Sequence, residues 1–185
     1  MSRIAIISSS VRNNRKSHAV AIYMQKILEE QNVTCEILDL HAYKFPIFEE
    51  RLKYQIKPSD EALDFSKRIQ SADGVIIVTP EYNGGYPASI KNAIDLLITE
   101  WIRKPVAIST VSDGSFGGSQ VIMSLQFSLW KMKAWTVPAM FPVPKVNEVF
   151  DESGLPVDKV NFDKRLSGFL KELFWCIEAA ERMKK

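Results

Sequence analysis

Val75-Ile76-Ile77-Val78-Thr79-Pro80-Glu81-Tyr82-Asn83-Gly84-Gly85-Tyr86-Pro87 decides how this chain is read. An apolar, β-branched run ends in Pro-Glu-Tyr-Asn, two glycines and a proline. A helical pattern follows at once, with Ile90, Ala93, Ile94, Leu97, Ile98 and Trp101 spaced by three and four residues. In open α/β sheets, ligands bind in the crevice beyond the carboxyl ends of the strands. This turn sits at such an end. It offers an aromatic ring, an amide, a carboxylate and backbone that a ligand can approach closely.

The same alternation recurs along the chain. Strands are predicted at residues 3–8, 34–39, 74–79, 105–110 and 136–138, and amphipathic helices at 17–31, 59–71, 87–100, 117–133 and 158–183. The first, third and fourth strands are continuous β-branched runs, as expected of parallel strands covered on both faces. The last helix carries an apolar stripe of Phe162, Leu166, Phe169, Leu170, Leu173, Phe174 and Ile177, and Lys184 and Lys185 complement its dipole. Such alternation implies a parallel sheet with right-handed crossovers. No repeat, low-complexity tract or linker interrupts it, so residues 1–185 are expected to form one domain. The longest irregular stretch, 41–58, holds Phe45, Phe48 and Tyr54 and reads as a lid or a subunit contact.

Composition removes several function classes. A net charge of +2, with no dense Lys/Arg run or interleaved aromatic patch, argues against nucleic acid. Cys35 and Cys176 lie far apart without paired spacing, which disfavours a disulfide framework or zinc site and fits a reducing cytoplasm. The run Ile4-Ala5-Ile6-Ile7 is too short for a signal peptide or a membrane span. His18 and His41 have no evident partners for metal or nucleophile work and read as structural or solvated. Gly-Lys-Ser/Thr of a Walker A loop is absent, and Gly114, Gly117 and Gly118 lack dinucleotide-fingerprint spacing. A mononucleotide with one phosphate monoester suits the chain better.

Pro80-Glu81-Tyr82-Asn83, then Pro87, then Ile90-Lys91-Asn92-Ala93-Ile94-Asp95, resembles the signature of the NAD(P)H-dependent FMN reductase family. Ser9-Ser10-Val11-Arg12, with Arg15 and Ser17, is similar to that family's phosphate loop. Ser112-Asp113-Gly114 and Gly117-Gly118 resemble its third flavin loop, and Phe150-Asp151-Glu152-Ser153-Gly154 also has a counterpart. The resemblance implies a flavodoxin-like three-layer α/β sandwich with five parallel strands in the order 2-1-3-4-5. It implies FMN as cofactor, NADPH or NADH as co-substrate, and acceptors such as quinones, azo compounds, free flavin or metal oxyanions. It further implies a homodimer or homotetramer. Two positions depart from the pattern. Ser9 replaces a glycine, so the turn there must tolerate a Cβ, and Ser119-Gln120 replaces Arg-Ala.

Three loops then converge on one ligand. In the first, Ser10, Arg12, Arg15 and Ser17 surround a helix N-terminus whose unpaired N–H groups attract phosphate. Read alone, that loop is equally an N-cap serine beside solvated arginines. In the second, Pro80, Glu81, Tyr82, Asn83 and Gly84 lie across the switch point between strands one and three, with Tyr82 as an apolar wall. In the third, Ser112, Asp113 and Gly114 pack on the flavin's pyrimidine edge, or else form a plain connection. No side chain is assigned as general acid or base, because the flavin carries the chemistry. Two other readings stay open: a flavodoxin-type single-electron carrier, and a cofactor-free scaffold for which Ser9 is the only support.

Overall fold

The computed structural model describes residues 2–183, so Lys184 and Lys185 lie outside the described residues. Five parallel strands, β1 (Arg3–Ser8), β2 (Thr34–Asp39), β3 (Gly74–Pro80), β4 (Pro105–Val111) and β5 (Trp135–Val143), form one sheet in the order β2-β1-β3-β4-β5. That is the flavodoxin-like order, and its direction reverses between β1 and β3. Ile7 pairs with Ile77 and Ser8 with Val78, so the two strands end side by side and open their loops onto one crevice.

Period-two alternation distributes the strand side chains between two cores. Ile4, Ile6, Ile76 and Val78 face α1 (Lys16–Glu30) and α7 (Lys159–Arg182). Ala5, Ile7, Val75 and Ile77 face α3 (Asp60–Ser71), α4 (Ala88–Leu96) and α5 (Ser119–Lys131). Because β1, β3 and β4 are covered on both faces, they are apolar at nearly every position, which is what made them legible.

Helix starts differ in a way that bears on the site. Ser59 caps α3 by accepting from Ala62 N at 3.2 Å, and Asp158 caps α7 by accepting from Asn161 N at 3.0 Å. By contrast, α1, α4 and α5 have no side-chain cap. At α1 the capping position is Arg15, a donor-only side chain that has nothing to offer an N–H group.

Two elements differ from the sequence expectation. The fifth strand runs from Trp135 through Val143, well past Pro138. It lies on the sheet edge, where proline's missing donor is tolerated, and its pairing slips between Val106 and Ile108. The helix expected to reach residue 100 stops at Leu96; residues 99–101 form a separate short 3-10 turn that buries Trp101.

The stretch 41–58 opens in the one-turn helix α2 (Leu40–Tyr43) and is tied down in its first part. Phe45 stacks on Tyr43 at 5.1 Å and meets Phe65 edge-on. Asn92 of α4 donates to the Pro46 carbonyl and accepts from Phe48 N at 3.1 Å.

Candidate functional site

At the carboxyl ends of β1, β3 and β4 lies a cavity of about 430 Å³, within the usual range for a small-molecule site. Ser10, Arg12, Arg15, Ser17, Pro80, Glu81, Tyr82, Ser112 and Asp113 line it. The three loops singled out in the sequence therefore do meet. Asn83, Gly84 and Gly114 do not line the cavity; the first two form the tip of the second loop, and Gly114 supports the third.

The first loop presents its polar groups without exhausting them. Ser9 N donates to the Val78 carbonyl, which extends the β1–β3 ladder by one residue. Ser9 is fully buried, and its φ is not in the left-handed region, so the turn accepts a Cβ without strain. Ser17, in the first turn of α1, is also buried, and its hydroxyl has no hydrogen-bond partner among the described residues. A buried, unpaired hydroxyl costs free energy unless something supplies a partner.

Arginine roles divide. Both terminal nitrogens of Arg15 pair with the Asp39 carboxylate, and Nη1 also donates to the Ser10 carbonyl at 3.0 Å. Burial opposes ionisation of Asp39, but Arg15 and the His41 N–H outweigh it and hold the carboxyl below the usual range. Burial and the neighbouring Arg15 lower the pKa of His18, whose Nδ1 lies 2.9 Å from Ser8 Oγ. Arg12 is exposed, has no ion-pair partner among the described residues, and lies 5.7 Å from the Tyr82 ring centroid, at cation–π distance. Its charge is available; Arg15's is met within the protein.

In the second loop, Tyr82 N donates to the Gly85 carbonyl and Gly85 N returns a bond to the Tyr82 carbonyl. Asn83 and Gly84 both have positive φ, 52° and 81°, as a two-residue type I′ hairpin turn requires. Their own N–H groups lie outside the two closing bonds. Tyr82 OH meets Ser10 Oγ at 2.9 Å, which latches the second loop to the first across the switch point.

Glycines in the third loop serve different ends. The Gly114 carbonyl accepts from Ser112 Oγ, Gly117 N and Lys145 N, making it a brace. Gly117 has φ 61°, and a Cβ there would stand 2.9 Å from Pro144 N. Gly118 has φ 75° and packs against Thr110 and Glu81. Beyond the double glycine, Gln120 Oε1 lies 3.4 Å from where a Cβ on Gly84 would stand, so the substituted position reaches the second loop's turn.

Sequence reasoning missed the rest of the wall. Asn13, Asn14 and Lys16 complete the first loop's side. Val146 and Asn147 enter from α6 (Val146–Val149), a single turn behind Lys145 in the left-handed region, with Val146 N bonded to the Ser112 carbonyl. Asn13 and Asn14 stood inside the quoted loop and were passed over; nothing in 146–149 signalled a ligand wall. No metal-binding cluster occurs among the described residues.

The profile of the NADPH-dependent FMN reductase family matches residues 2–148, a stretch that contains all three loops. The chain belongs to that family. It is 36% identical over 145 residues to the NAD(P)H-dependent FMN reductase LOT6 of Saccharomyces cerevisiae, covering 71% of this chain and 75% of that protein. It is 31% identical over 170 residues to a quinone reductase of Escherichia coli (strain K12), covering 87% and 88% respectively. The solved structure of FerB, a flavoenzyme NAD(P)H:(acceptor) oxidoreductase from Paracoccus denitrificans, superimposes with a TM-score of 0.77 at 24% identity, over 96% of this chain and 98% of that one. At that identity the likeness speaks for the fold. Family membership makes the protein an FMN-dependent oxidoreductase that draws on NAD(P)H.

Proposed function

We propose that the cavity holds FMN, with the phosphate at the first loop and the ring system across the second and third. The buried, unpartnered Ser17 hydroxyl at the uncapped start of α1, beside the uncommitted Arg12, carries this reading. A phosphate would satisfy the hydroxyl, the free N–H groups and the guanidinium together. Ser10, already paired with Tyr82, would share its hydroxyl with the ligand while keeping the two loops latched.

Tyr82 supplies an apolar wall, and the Asn83–Gly84 turn offers two backbone N–H groups to a polar ring edge. Ser112 and Asp113 bound the opposite edge, braced from behind by Gly114. Bound FMN would supply two-electron chemistry, taking hydride from NAD(P)H and passing reducing equivalents to an acceptor in a second half-reaction, with ping-pong kinetics. The protein contributes placement and exclusion of water; no side chain in the cavity need hold a proton.

Acceptors in this reading are quinones, azo compounds, free flavin or metal oxyanions. Residues 1–185 act as one unit with one flavin site. The location is cytoplasmic, supported by the free thiols Cys35 and Cys176, and no helix among the described residues is long and apolar enough to cross a membrane. Assembly as a homodimer or homotetramer is supported by the exposed stripe Met123, Phe127 and Trp130 along α5, with exposed Phe116 in the loop before it.

The test is the visible spectrum of FMN-reconstituted, desalted protein, recorded anaerobically before and after NADPH. Retained flavin that bleaches is the expected result. Retained flavin that neither NADPH nor NADH bleaches would favour the single-electron carrier. Loss of flavin on desalting would overturn the reading and favour the scaffold.

A further inference from the structure

Three consecutive carbonyls of the first loop are each held from behind by a side chain. Ser89 in the first turn of α4 donates its hydroxyl to the Ser9 carbonyl. Arg15 Nη1 donates to the Ser10 carbonyl. His41 Nδ1 lies 3.0 Å from the Val11 carbonyl; since a carbonyl only accepts, that nitrogen carries the proton. Asp39 ties the last two together, pairing with the Arg15 guanidinium and accepting from His41 N at 3.0 Å. Asp39, His41 and Ser89 do not line the cavity.

The geometry has a direct electrostatic consequence. In a trans peptide, the carbonyl and the following N–H point in opposite directions. Drawing the carbonyls of Ser9, Ser10 and Val11 toward β2, α2 and α4 turns the N–H groups of Ser10 and Val11 the other way, while the Arg12 N–H donates to Ser10 Oγ at 3.4 Å, an oxygen of a residue that lines the cavity. Successive N–H groups on one side of a loop form an anion-binding concavity, whereas an inward carbonyl would repel phosphate.

We propose that Asp39, His41 and Ser89 are positioning residues for the phosphate subsite, and that Arg15 belongs to this frame rather than to the ligand. Arg15 is a strut whose charge is spent on Asp39, and Arg12 is the charge left for phosphate. The inference rests on the FMN reading above and adds to it which residues shape the subsite without touching the ligand.

The experiment titrates flavin-free protein with FMN and, separately, riboflavin, following flavin fluorescence. The two share a ring and differ by the phosphate, so the ratio of their dissociation constants isolates the first loop. Wild type is expected to prefer FMN. Asp39→Asn keeps the side chain's shape and should cut that preference about tenfold, mainly by weakening FMN, as loss of a charge-assisted contact implies. His41→Ala and Ser89→Ala should each cut it about threefold. His41→Asn, whose amide nitrogen sits near the position of Nδ1, should restore most of the loss.

If Asp39→Asn instead tightened FMN, Arg15 would be a phosphate ligand that Asp39 restrains, and the inference would fail. Parallel weakening of FMN and riboflavin would reduce the frame to general stability and also overturn it. Should Asp39→Asn not fold, the His41 and Ser89 variants decide alone: an unchanged preference in both sinks the inference. A wild type with no preference for FMN over riboflavin is a different failure, that of the phosphate assignment itself.

Discussion

Two kinds of helix start divide the labour in this molecule. At α3 and α7, Ser59 and Asp158 close the first turn with their own side-chain oxygens. At α1, the corresponding position is Arg15, the first-turn N–H groups have no side-chain acceptor, and the hydroxyl of Ser17 is buried without a partner. A capped start is finished within the chain and contributes stability. An uncapped one beside a cavity is unfinished until an anion arrives, so the same local physics serves binding instead. The unpaired hydroxyls of Ser9, Ser17 and Thr110 all sit at this carboxyl edge of the sheet, near β1 and β4.

The largest effect that tests this division concerns charge. Arg12→Ala should weaken FMN by about 1.5–3 kcal/mol, or roughly tenfold to more than a hundredfold, while leaving the melting temperature of the flavin-free protein nearly unchanged. Arg12 is exposed and makes no ion pair among the described residues, and its contact with the Tyr82 ring is worth about 0.5–1 kcal/mol at most at an exposed site, so little in the fold depends on its charge. Titration of the variant with FMN, alongside a thermal melt, checks both halves. An affinity equal to wild type would show that the uncapped helix does not work with Arg12.

Gly117→Ala should blur the comparison by striking both properties. The residue adopts φ 61°, and an added Cβ would meet the Pro144 backbone nitrogen at 2.9 Å. Strain of about 1–3 kcal/mol is expected, read as a lower denaturant midpoint. Because the third loop carries Ser112 and Asp113 into the cavity, flavin affinity should fall with it. A stable variant with normal affinity would mean that this loop can rearrange freely.

How far these starts could be read in advance varied with the kind of signal. Strands β1, β3 and β4 are covered on both faces and so are mostly apolar; their edges came out of the sequence to within a residue. Edge strand β5 carries Pro138 and Pro142, which mimic a strand's end; Pro138 falls at the slip in the pairing with β4, Pro142 stays in register with Thr110, and the free edge of the sheet tolerates both. Most cavity-lining residues of the three loops stood out as polar residues in glycine- and serine-rich turns after strands, whereas Asn13, Asn14 and Lys16 of the first loop did not. The division of roles among them was not legible. Arg12 and Arg15 look alike in sequence, and what separates them is Asp39, twenty-four residues away and brought near because Ser8 pairs with Asp39 across β1 and β2. Likewise, Val146 and Asn147 reach the cavity through the left-handed turn at Lys145, where Pro144 marks a break in the strand but nothing marks the positive φ that turns the chain toward the cavity.

Capped starts should respond in the opposite sense to the site. Asp158→Ala removes the acceptor for Asn161 N and should cost about 0.5–2 kcal/mol of stability, with FMN binding untouched. Chemical denaturation and an FMN titration on the same preparation separate the two. A loss of flavin affinity here would show that the start of α7 is coupled to the cavity, contrary to its position away from the lining residues.

Ser17→Ala gives the smallest effect and the sharpest test, because its sign differs between the two measurements. In the flavin-free protein the change removes a buried hydroxyl that has no partner, so stability should hold or rise slightly, by at most about 1 kcal/mol. In the flavin-bound protein the same hydroxyl is expected to donate to phosphate, so FMN affinity should fall about fivefold while riboflavin affinity holds. An ordinary N-cap serine would behave like Asp158, losing stability and sparing the ligand. A structural serine elsewhere in α1 would lose stability and weaken both flavins together. Only a hydroxyl left unsatisfied by the chain, and completed by phosphate, leaves the apoprotein intact while costing FMN alone.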